Sequence, residues 1–254
     1  MKLTKKKILV LGLANKSSIA WGVIQKLHAE GAEVGICYFH PSNQKRVEPL
    51  SQEIDCKFVQ EVDVTQPDSI ERLAKRVSEE WGQFDGLVHS IAFAPASALE
   101  TRFYETTYHD FATALNISAF SLLALTNKLR PSFAKNFSIV SMTCYGASKV
   151  ICGYNIMGVA KAALESITRY LAEDLGKDGV RVNTISSGPI KTLAALGVPN
   201  FSHFLNEIKE HSPMRANVTI EDVGNMTSFL MSDESRSISG QTLFVDSGMS
   251  IIVR

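Results

Sequence analysis

Short apolar runs alternate with longer amphipathic stretches along most of the chain. The runs predict strands at Lys7–Leu11, Glu33–Tyr38, Lys57–Gln60, Asp85–His89, Phe137–Ser141, Arg181–Ile185 and Thr242–Val245. Apolar residues at helical spacing predict helices at Ser18–Glu30, Pro67–Trp81, His109–Phe133, Tyr154–Gly176 and Ile220–Met231. Several strands are continuously apolar, which is typical of strands covered by helices on both faces. The pattern therefore predicts a doubly wound α/β fold with about seven parallel strands flanked by helices.

The alternation continues without a linker, a repeat or a low-complexity tract, so we expect one domain over residues 1–254. Residues 188–217 differ, because they hold three prolines and two glycines and show weak periodicity. Long irregular segments in compact domains are often lids or binding loops. A surface excursion without function is the alternative.

Composition narrows the classes of partner. Lysine plus arginine and aspartate plus glutamate number 26 each, so no positive field is available to attract nucleic acid. The histidines and cysteines lack metal-ligand spacing, and we expect no metal. The four separated cysteines suit a reducing cytoplasm. No apolar run reaches the roughly 18 residues that a membrane span needs, and we expect no membrane partner.

The segment from Gly12 to Gly22 follows the first predicted strand and leads into a helix. A glycine turn before a helix N-terminus allows a phosphate to approach the free backbone N–H groups. The glycine spacing is not that of the usual dinucleotide fingerprint, and an ordinary helix capped by Ser17 or Ser18 explains the serines equally well. After the second predicted strand no charge occurs before Lys45 and Arg46, so this region leaves the choice between NADH and NADPH open.

Tyr154 and Lys161 are seven residues apart, close to two helical turns, and a shared helix would place both on one face. An ammonium near a phenol favours ionisation of the phenol, and both groups can hydrogen-bond a carbonyl or a ribose. A core tyrosine with a solvated lysine is the simpler alternative for such a pair in isolation.

The chain resembles the enoyl-acyl-carrier-protein reductases, a divergent branch of the short-chain dehydrogenase/reductase family. The resemblance runs over nearly the whole chain, through Gly12 with Ser18-Ile19-Ala20, Asp63-Val64, Asp85 to Ala94, Tyr154 to Ala162, Arg181-Val182-Asn183 and Gly188 to Ala194. Ordinary members of the family pair tyrosine and lysine as Y-x₃-K, whereas this chain has Gly158 four residues after Tyr154. The resemblance implies a Rossmann-like fold and reduction of an alkene rather than a ketone.

The resemblance also implies the site. Tyr154 and Lys161 would be catalytic, with Lys161 on the nicotinamide ribose, and the cofactor would be held by Gly12, Ser18, Ile19, Asp63, Val64, Ser90, Ile91, Ala92 and Ile190. The substrate would lie against Ala94, Cys144, Tyr145 and Tyr154, under a loop at about 192–210. It further implies NADH, with NADPH possible, an enoyl-acyl-carrier-protein substrate and a cytoplasmic homotetramer.

Cys144 departs from the family, which has a second tyrosine ten residues before the catalytic one. Tyr145 is displaced from that position by one residue. We expect both to lie in a loop after the strand ending near Ser141, with Cys144 lining the pocket and Tyr145 bending back as the alternative. A ketone-directed dehydrogenase and a catalytically idle nucleotide sensor remain the competing functions.

Overall fold

The computed structural model of the protein describes residues 1–197 and 201–252. The strands are β1 (Lys7–Leu11), β2 (Glu33–Tyr38), β3 (Phe58–Glu61), β4 (Phe84–His89), β5 (Phe133–Cys144), β6 (Arg181–Ser187) and β7 (Thr242–Val245). They form one sheet in the order β3-β2-β1-β4-β5-β6-β7, and every neighbouring pair is parallel. The predicted doubly wound, Rossmann-like fold is confirmed.

Helices cover both faces of the sheet. They are α1 (Ile19–Ala29), α2 (Pro41–Glu53), α3 (Pro67–Glu80), α4 (Ala96–Glu100), α5 (Tyr108–Leu115), α6 (Ser121–Leu129), α7 (Ile156–Gly176), α8 (Phe201–His211) and α9 (Ile220–Met231). A π-helical turn, Asn116–Phe120, joins α5 to α6. None of the helices in the described ranges is long and apolar enough to cross a membrane.

The strands place their side chains alternately into two apolar cores. In β1, Ile8 and Val10 belong to the core under α1 and α9, whereas Leu9 and Leu11 belong to the core under α3, α6 and α7. All four are fully or almost fully buried. Because successive strand side chains point to opposite faces, a strand covered on both sides must be apolar at every position. This explains the unbroken apolar run from Ile8 to Leu11.

Three sequence predictions about helix and strand bounds were wrong. The helix expected at His109–Phe133 is interrupted by the π-helical turn, and Phe133 already belongs to β5. The helix expected from Tyr154 begins at Ile156, so Tyr154 precedes it. β5 continues to Cys144 because it pairs with β6 up to Ser187, so Cys144 is a strand residue rather than part of a loop.

Three helices were not predicted. The segment expected to be irregular contains α8, where Phe201, Phe204, Leu205 and Ile208 repeat at helical spacing. Two short or polar helices, α2 and α4, follow β2 and β4. The loop expected at about 192–210 thus ends in a helix, and its residues 198–200 lie outside the described part of the chain.

His89 ends β4 in a fully buried position against the π-helical turn and α6. Its Nε2 lies 2.7 Å from the Ser121 hydroxyl, which itself donates to the Ile117 carbonyl. Because the Ser121 hydroxyl uses its proton on the Ile117 carbonyl, the Nε2–H of His89 donates to the Ser121 oxygen. The low pKa of the ring makes it neutral. Burial, with a smaller effect of Lys161, lowers the pKa of His89 from 6.5 to about 3.

We expect this histidine to make the protein less stable as the pH falls. Between pH 6.5 and about 3 the unfolded chain binds a proton at His89 that the folded chain does not. The free energy of unfolding should lose up to about 1.4 kcal/mol per pH unit from this residue. Urea unfolding at pH 7 and pH 5 measures the loss, and His89→Gln should reduce it. An equal loss in both proteins would contradict the assignment.

Candidate active site

Strands β2 and β3 lie on one side of β1, and β4 and the later strands lie on the other side, so the strand order reverses between β1 and β4. The turns that follow these two strands are in close contact. Gly12 follows β1 with φ +101°, and a Cβ there would lie 2.1 Å from the Ser90 carbonyl oxygen. The Ser90 N–H donates to the Leu11 carbonyl at 3.1 Å. Ligands of doubly wound sheets bind at such a switch point, outside the carboxyl ends of the strands. The structure thus brings Gly12 next to Ser90 at the expected place.

The start of α1 faces this crevice. Ser18 occupies the N-cap position, but its side chain does not cap the helix. Instead its hydroxyl accepts hydrogen bonds from the N–H groups of Ala14 and Asn15, at 3.3 and 3.0 Å, and closes the turn. The first turn, which begins with Ile19, carries no acidic residue. Free N–H groups and the helix dipole make this end suitable for a phosphate, so the residues present fit a dinucleotide.

Asp63 and Val64 lie beyond the end of β3. The Asp63 carboxylate accepts hydrogen bonds from the Thr65 N–H and hydroxyl at 2.9 and 2.7 Å, which fixes its orientation. Val64 is 8% exposed. Asp63 also borders a polar cleft of about 580 Å³, lined by Val59, Gln60, Glu61, Asp63, Gln66, Ser69, Arg72 and Arg76.

The end of β2 offers no cation to a 2′-phosphate. Phe39 is 52% exposed, and the His40 ring nitrogen accepts the Ser42 N–H at 3.1 Å. His40 therefore caps α2, and its nitrogen is committed to the backbone. This arrangement favours a cofactor with an unmodified ribose.

Ile190 lies in a second cleft of about 470 Å³, between the turn after β1 and the segment before α9. Lys16, Lys191 and Asn217 line the same cleft. The Asn217 Oδ1 is buried without a hydrogen-bond partner among the described residues. A ligand amide that donates a hydrogen bond would satisfy this oxygen. Sequence analysis missed Asn217, because an isolated asparagine has no characteristic spacing.

Tyr154 occupies a turn before α7, and its ring lies against two glycines. A Cβ at Gly146 would lie 2.8 Å from the ring, and a Cβ at Gly158 would lie 2.9 Å from the Gly146 carbonyl oxygen. A lysine four residues after the tyrosine would therefore have no space for its side chain. The glycine at this position thus fits the close packing of α7 on Gly146. The expectation that Tyr154 and Lys161 share one helix face was wrong, because only Lys161 is helical.

Lys161 is 5% exposed, so it is not a solvated lysine. Its Nζ donates to the Met142 carbonyl at 2.8 Å. Burial lowers the pKa of Lys161, while Cys144 and Glu165 act in the opposite direction. Glu165 is held by the Thr143 hydroxyl, which donates to it at 2.9 Å, and burial raises its pKa. The sequence analysis missed Glu165, although it lies one helical turn after Lys161.

Tyr154 is a neutral phenol at physiological pH. Burial raises its pKa well above 10, and the neighbouring Cys144 thiol adds to this shift. The expectation that Lys161 favours ionisation of the phenol is therefore wrong for the protein without ligand, because burial dominates. A phenol that keeps its proton is a hydrogen-bond donor.

Cys144 is close to the Tyr154 hydroxyl and interacts with it. Tyr145 follows in a short 3₁₀ turn, Tyr145–Ala147, and is partly buried. Ala94 packs against the small apolar cluster of Ala98, Ala114 and Ile156, at the start of α7. The structure thus brings Cys144 to the Tyr154 side chain and Ala94 to the residues at the start of α7. Their contact with a substrate stays a prediction.

Ile91 and Ala92 follow Ser90, and the π-helical turn holds the next residue. Ile91 is partly buried and Ala92 is exposed. The Phe93 N–H donates to the Ser118 hydroxyl and that hydroxyl donates to the Phe93 carbonyl, both at 3.0 Å. Ser118 was missed by the sequence analysis, since a serine within a helical pattern has no distinguishing spacing.

One group of candidate metal ligands occurs in the described ranges. Glu207, Glu210 and His211 have ligand atoms within 4.8 Å of one another on α8. The His211 ring lies 3.8 Å from the Glu207 carboxylate, as an exposed pair one turn apart. Exposed acidic groups of this kind are common without an ion, and the absence of a metal stays a prediction.

Comparison with known proteins gives consistent results. The family profile described as enoyl-(acyl carrier protein) reductase matches residues 12–250. The chain is 44% identical to the enoyl-[acyl-carrier-protein] reductase [NADH] of Rickettsia conorii, over 97% of this chain and 95% of that protein. It is similar to the crystal structure of the NADH enzyme from Aquifex aeolicus, with TM-score 0.97, 41% identity and complete coverage of both chains. The Bacillus cereus enzyme, solved with NADP⁺ and an indole naphthyridinone, has TM-score 0.97 and 39% identity, with complete coverage of both chains.

The packing around Tyr154 predicts opposite effects for two glycines of the same helix. Gly158→Ala forces a shift of the Gly146 carbonyl and should destabilise the protein by about 1–3 kcal/mol. Gly176→Ala, the control, meets nothing within 4 Å and should be neutral or stabilising by up to about 1 kcal/mol. Urea unfolding of both variants checks this. Equal stability of the two variants would show that Gly158 is not needed for close packing.

Proposed function

Because the chain belongs to the enoyl-(acyl carrier protein) reductase family, we propose that it reduces the trans-2 double bond of enoyl-acyl-carrier-protein thioesters with NADH. The observation that carries this proposal is the pair of a partly buried Tyr154 and a buried Lys161, with Gly158 packed where a ketone-directed relative has lysine. A nucleotide sensor without activity would need neither the Tyr154 hydroxyl next to the Cys144 thiol nor the Lys161 ammonium fixed on the Met142 carbonyl.

The chain's own residues supply binding and charge stabilisation. When bound, the dinucleotide supplies a hydride for the β-carbon of the enoyl thioester. Its pyrophosphate would be held at the start of α1 by Gly12, Ser18 and Ile19. Its adenine would be held by Asp63 and Val64. Ser90, Ile91 and Ala92 would line the adjoining ribose, and Ile190 would contact the carboxamide.

Lys161 retains donors for the nicotinamide ribose. An ammonium has three N–H groups, and the described contacts use one of them on the Met142 carbonyl. Because the Met142 contact fixes the ammonium, little side-chain freedom remains to be lost when the ribose binds. Lys161 therefore acts as a preorganised binding group.

Tyr154 stabilises the charge that develops on the substrate. Its neutral hydroxyl donates to the thioester oxygen as that oxygen gains enolate character, and the enolate then takes a proton from solvent water at the α-carbon, which completes the saturation. Loss of one such donor costs about 2.7–4 kcal/mol of barrier in other enzymes. Cys144 and Ala94 would form small apolar walls beside the acyl thioester, and residues 192–210 would cover it.

Exposed apolar side chains on neighbouring helices bear on the oligomeric state of the protein. Four large side chains of α5, the π-helical turn and α6 are 40–86% exposed, namely Tyr108, Phe111, Phe120 and Leu123. Large apolar side chains that stay exposed on neighbouring helices favour a subunit interface. We propose a cytoplasmic homotetramer of one-domain subunits, residues 1–254, and light scattering of the purified protein tests the mass. A monomer at micromolar concentration would contradict it.

Substrate and cofactor preference can be measured directly. We expect kcat/KM with crotonyl thioester to exceed that with acetoacetyl thioester by about tenfold or more, because the site lacks the ketone-type pair. NADH should be preferred to NADPH, since His40 and Phe39 place no cation at the 2′ position. Initial rates of cofactor oxidation decide both points. Preference for the ketone would overturn the proposed reaction.

Substitutions of Tyr154 and Lys161 should have different effects on kcat and on NADH affinity. Tyr154→Phe should lower kcat by about 100-fold or more with little change in NADH affinity, because the phenol acts on developing charge. Lys161→Ala should weaken NADH binding as well. Tyr145→Phe is the matched control and should be nearly silent.

Steady-state kinetics and fluorescence titration with NADH measure these effects. A loss of more than about tenfold in kcat for Tyr145→Phe, or roughly 1.4 kcal/mol of barrier, would show that the displaced tyrosine has the family role. Unchanged NADH affinity in Lys161→Ala would show that the lysine does not hold the ribose.

A further inference from the structure

Asn155 has an unfavourable backbone conformation between Tyr154 and the first turn of α7. Its φ is +42° and its ψ is −121°, a combination that side-chain-bearing residues rarely adopt. Such a conformation costs of order 1–3 kcal/mol and persists only where surrounding contacts hold it. The strain lies one residue after the proposed donor, so the direction of the Tyr154 side chain depends on it.

The side chain of Asn155 supplies the contacts that hold this turn. Its Nδ2 donates towards three carbonyls at the end of α4, those of Ala98 and Leu99 at 3.3 Å and of Thr101 at 2.8 Å. The last carbonyls of a helix lack helical partners and carry partial negative charge. An amide N–H₂ group matches this acceptor cluster, whereas a carboxylate would be repelled by it.

The hydrogen bonds between the Asn155 side chain and the end of α4 connect two parts of the proposed site. The segment that contains α4 runs from Ser90 past Ala94 to Thr101. In the proposed function, Ser90 to Ala92 line the cofactor and Ala94 lines the acyl chain, so this segment would form one wall of the site. The hydrogen bonds of the Asn155 amide therefore fix the position of Tyr154 relative to that segment. The Tyr154 ring also packs closely on Gly146, where a Cβ would lie 2.8 Å from the ring.

We propose that Asn155 is a positioning residue for the reduction: its amide, bonded to the carbonyls at the end of α4, holds the strained turn that directs the Tyr154 hydroxyl towards the thioester oxygen. This inference rests on the proposed function. It assigns Asn155 a role in kcat and none in binding NADH, since Lys161 lies further along α7 and has its own contact with the Met142 carbonyl.

Two variants separate the parts of the proposal. Asn155→Asp keeps the shape but removes the donors and places oxygens against carbonyl oxygens. Asn155→Gly removes the amide but tolerates a positive φ. Asn225→Asp, at an exposed position of α9, is the matched control for the chemical change.

The experiment measures kcat and KM with crotonyl thioester and, separately, NADH affinity by fluorescence titration. Asn155→Asp should lose about tenfold or more in kcat and Asn155→Gly about threefold or more, with NADH affinity within about twofold of wild type and no change in Asn225→Asp. If Asn155→Asp does not fold, the glycine variant alone decides.

Two results would overturn the inference: wild-type kcat in the Asn155→Gly variant, or a parallel fall in kcat and NADH affinity that indicates general disruption of α7. A wild-type protein that does not reduce crotonyl thioester would instead refute the proposed function. The two failures are therefore distinguishable.

Discussion

The burial of one parallel sheet on both faces is the constraint on which the rest of the structure depends. Strand side chains enter two separate cores, so strands such as β1 are apolar throughout and cannot be placed at the surface. Parallel strands also need crossover helices, and these helices supply the second wall of each core. Both requirements bring the carboxyl ends of all seven strands to one edge of the sheet, where the loops between elements meet. The site residues lie on these loops, at the end of β5 in the case of Cys144, or in the first two turns of the helices that follow.

Close approach of backbone segments shapes that edge. A Cβ at Gly12 would lie 2.1 Å from the Ser90 carbonyl oxygen, and a Cβ at Gly158 would lie 2.9 Å from the Gly146 carbonyl oxygen, so a side chain at either position would force the backbone to shift. The first contact keeps the crevice narrow at the start of α1, and the second forms the support on which the Tyr154 ring lies. A pattern of residues that distinguishes alkene reduction from ketone reduction thus has a steric basis as well as a chemical one.

Burial has opposite consequences for the two groups proposed to be catalytic. It raises the pKa of the Tyr154 phenol, which keeps its proton, and it lowers the pKa of the Lys161 ammonium. The carbonyl of Met142 and the nearby Cys144 and Glu165 favour retention of charge on the lysine. A neutral donor and a fixed cation suit a reaction in which negative charge develops on a thioester oxygen. Cys144 raises the pKa of both groups, which favours the neutral phenol and the charged ammonium.

The sequence by itself determined the doubly wound fold, the bounds of β1, β2, β7 and α9, and the residues that mark the family, because period and order of apolar positions are local properties. It did not determine that Tyr154 lies outside α7, that β5 extends to Cys144, or that α5 and α6 are separated by a π-helical turn. Pairing with β6 decides where β5 ends, and contacts with α4 hold the strained turn at Asn155. The protonation of Tyr154 likewise depends on burial among residues distant in the chain. These features arise from contacts between segments that are far apart in sequence, which no local pattern encodes.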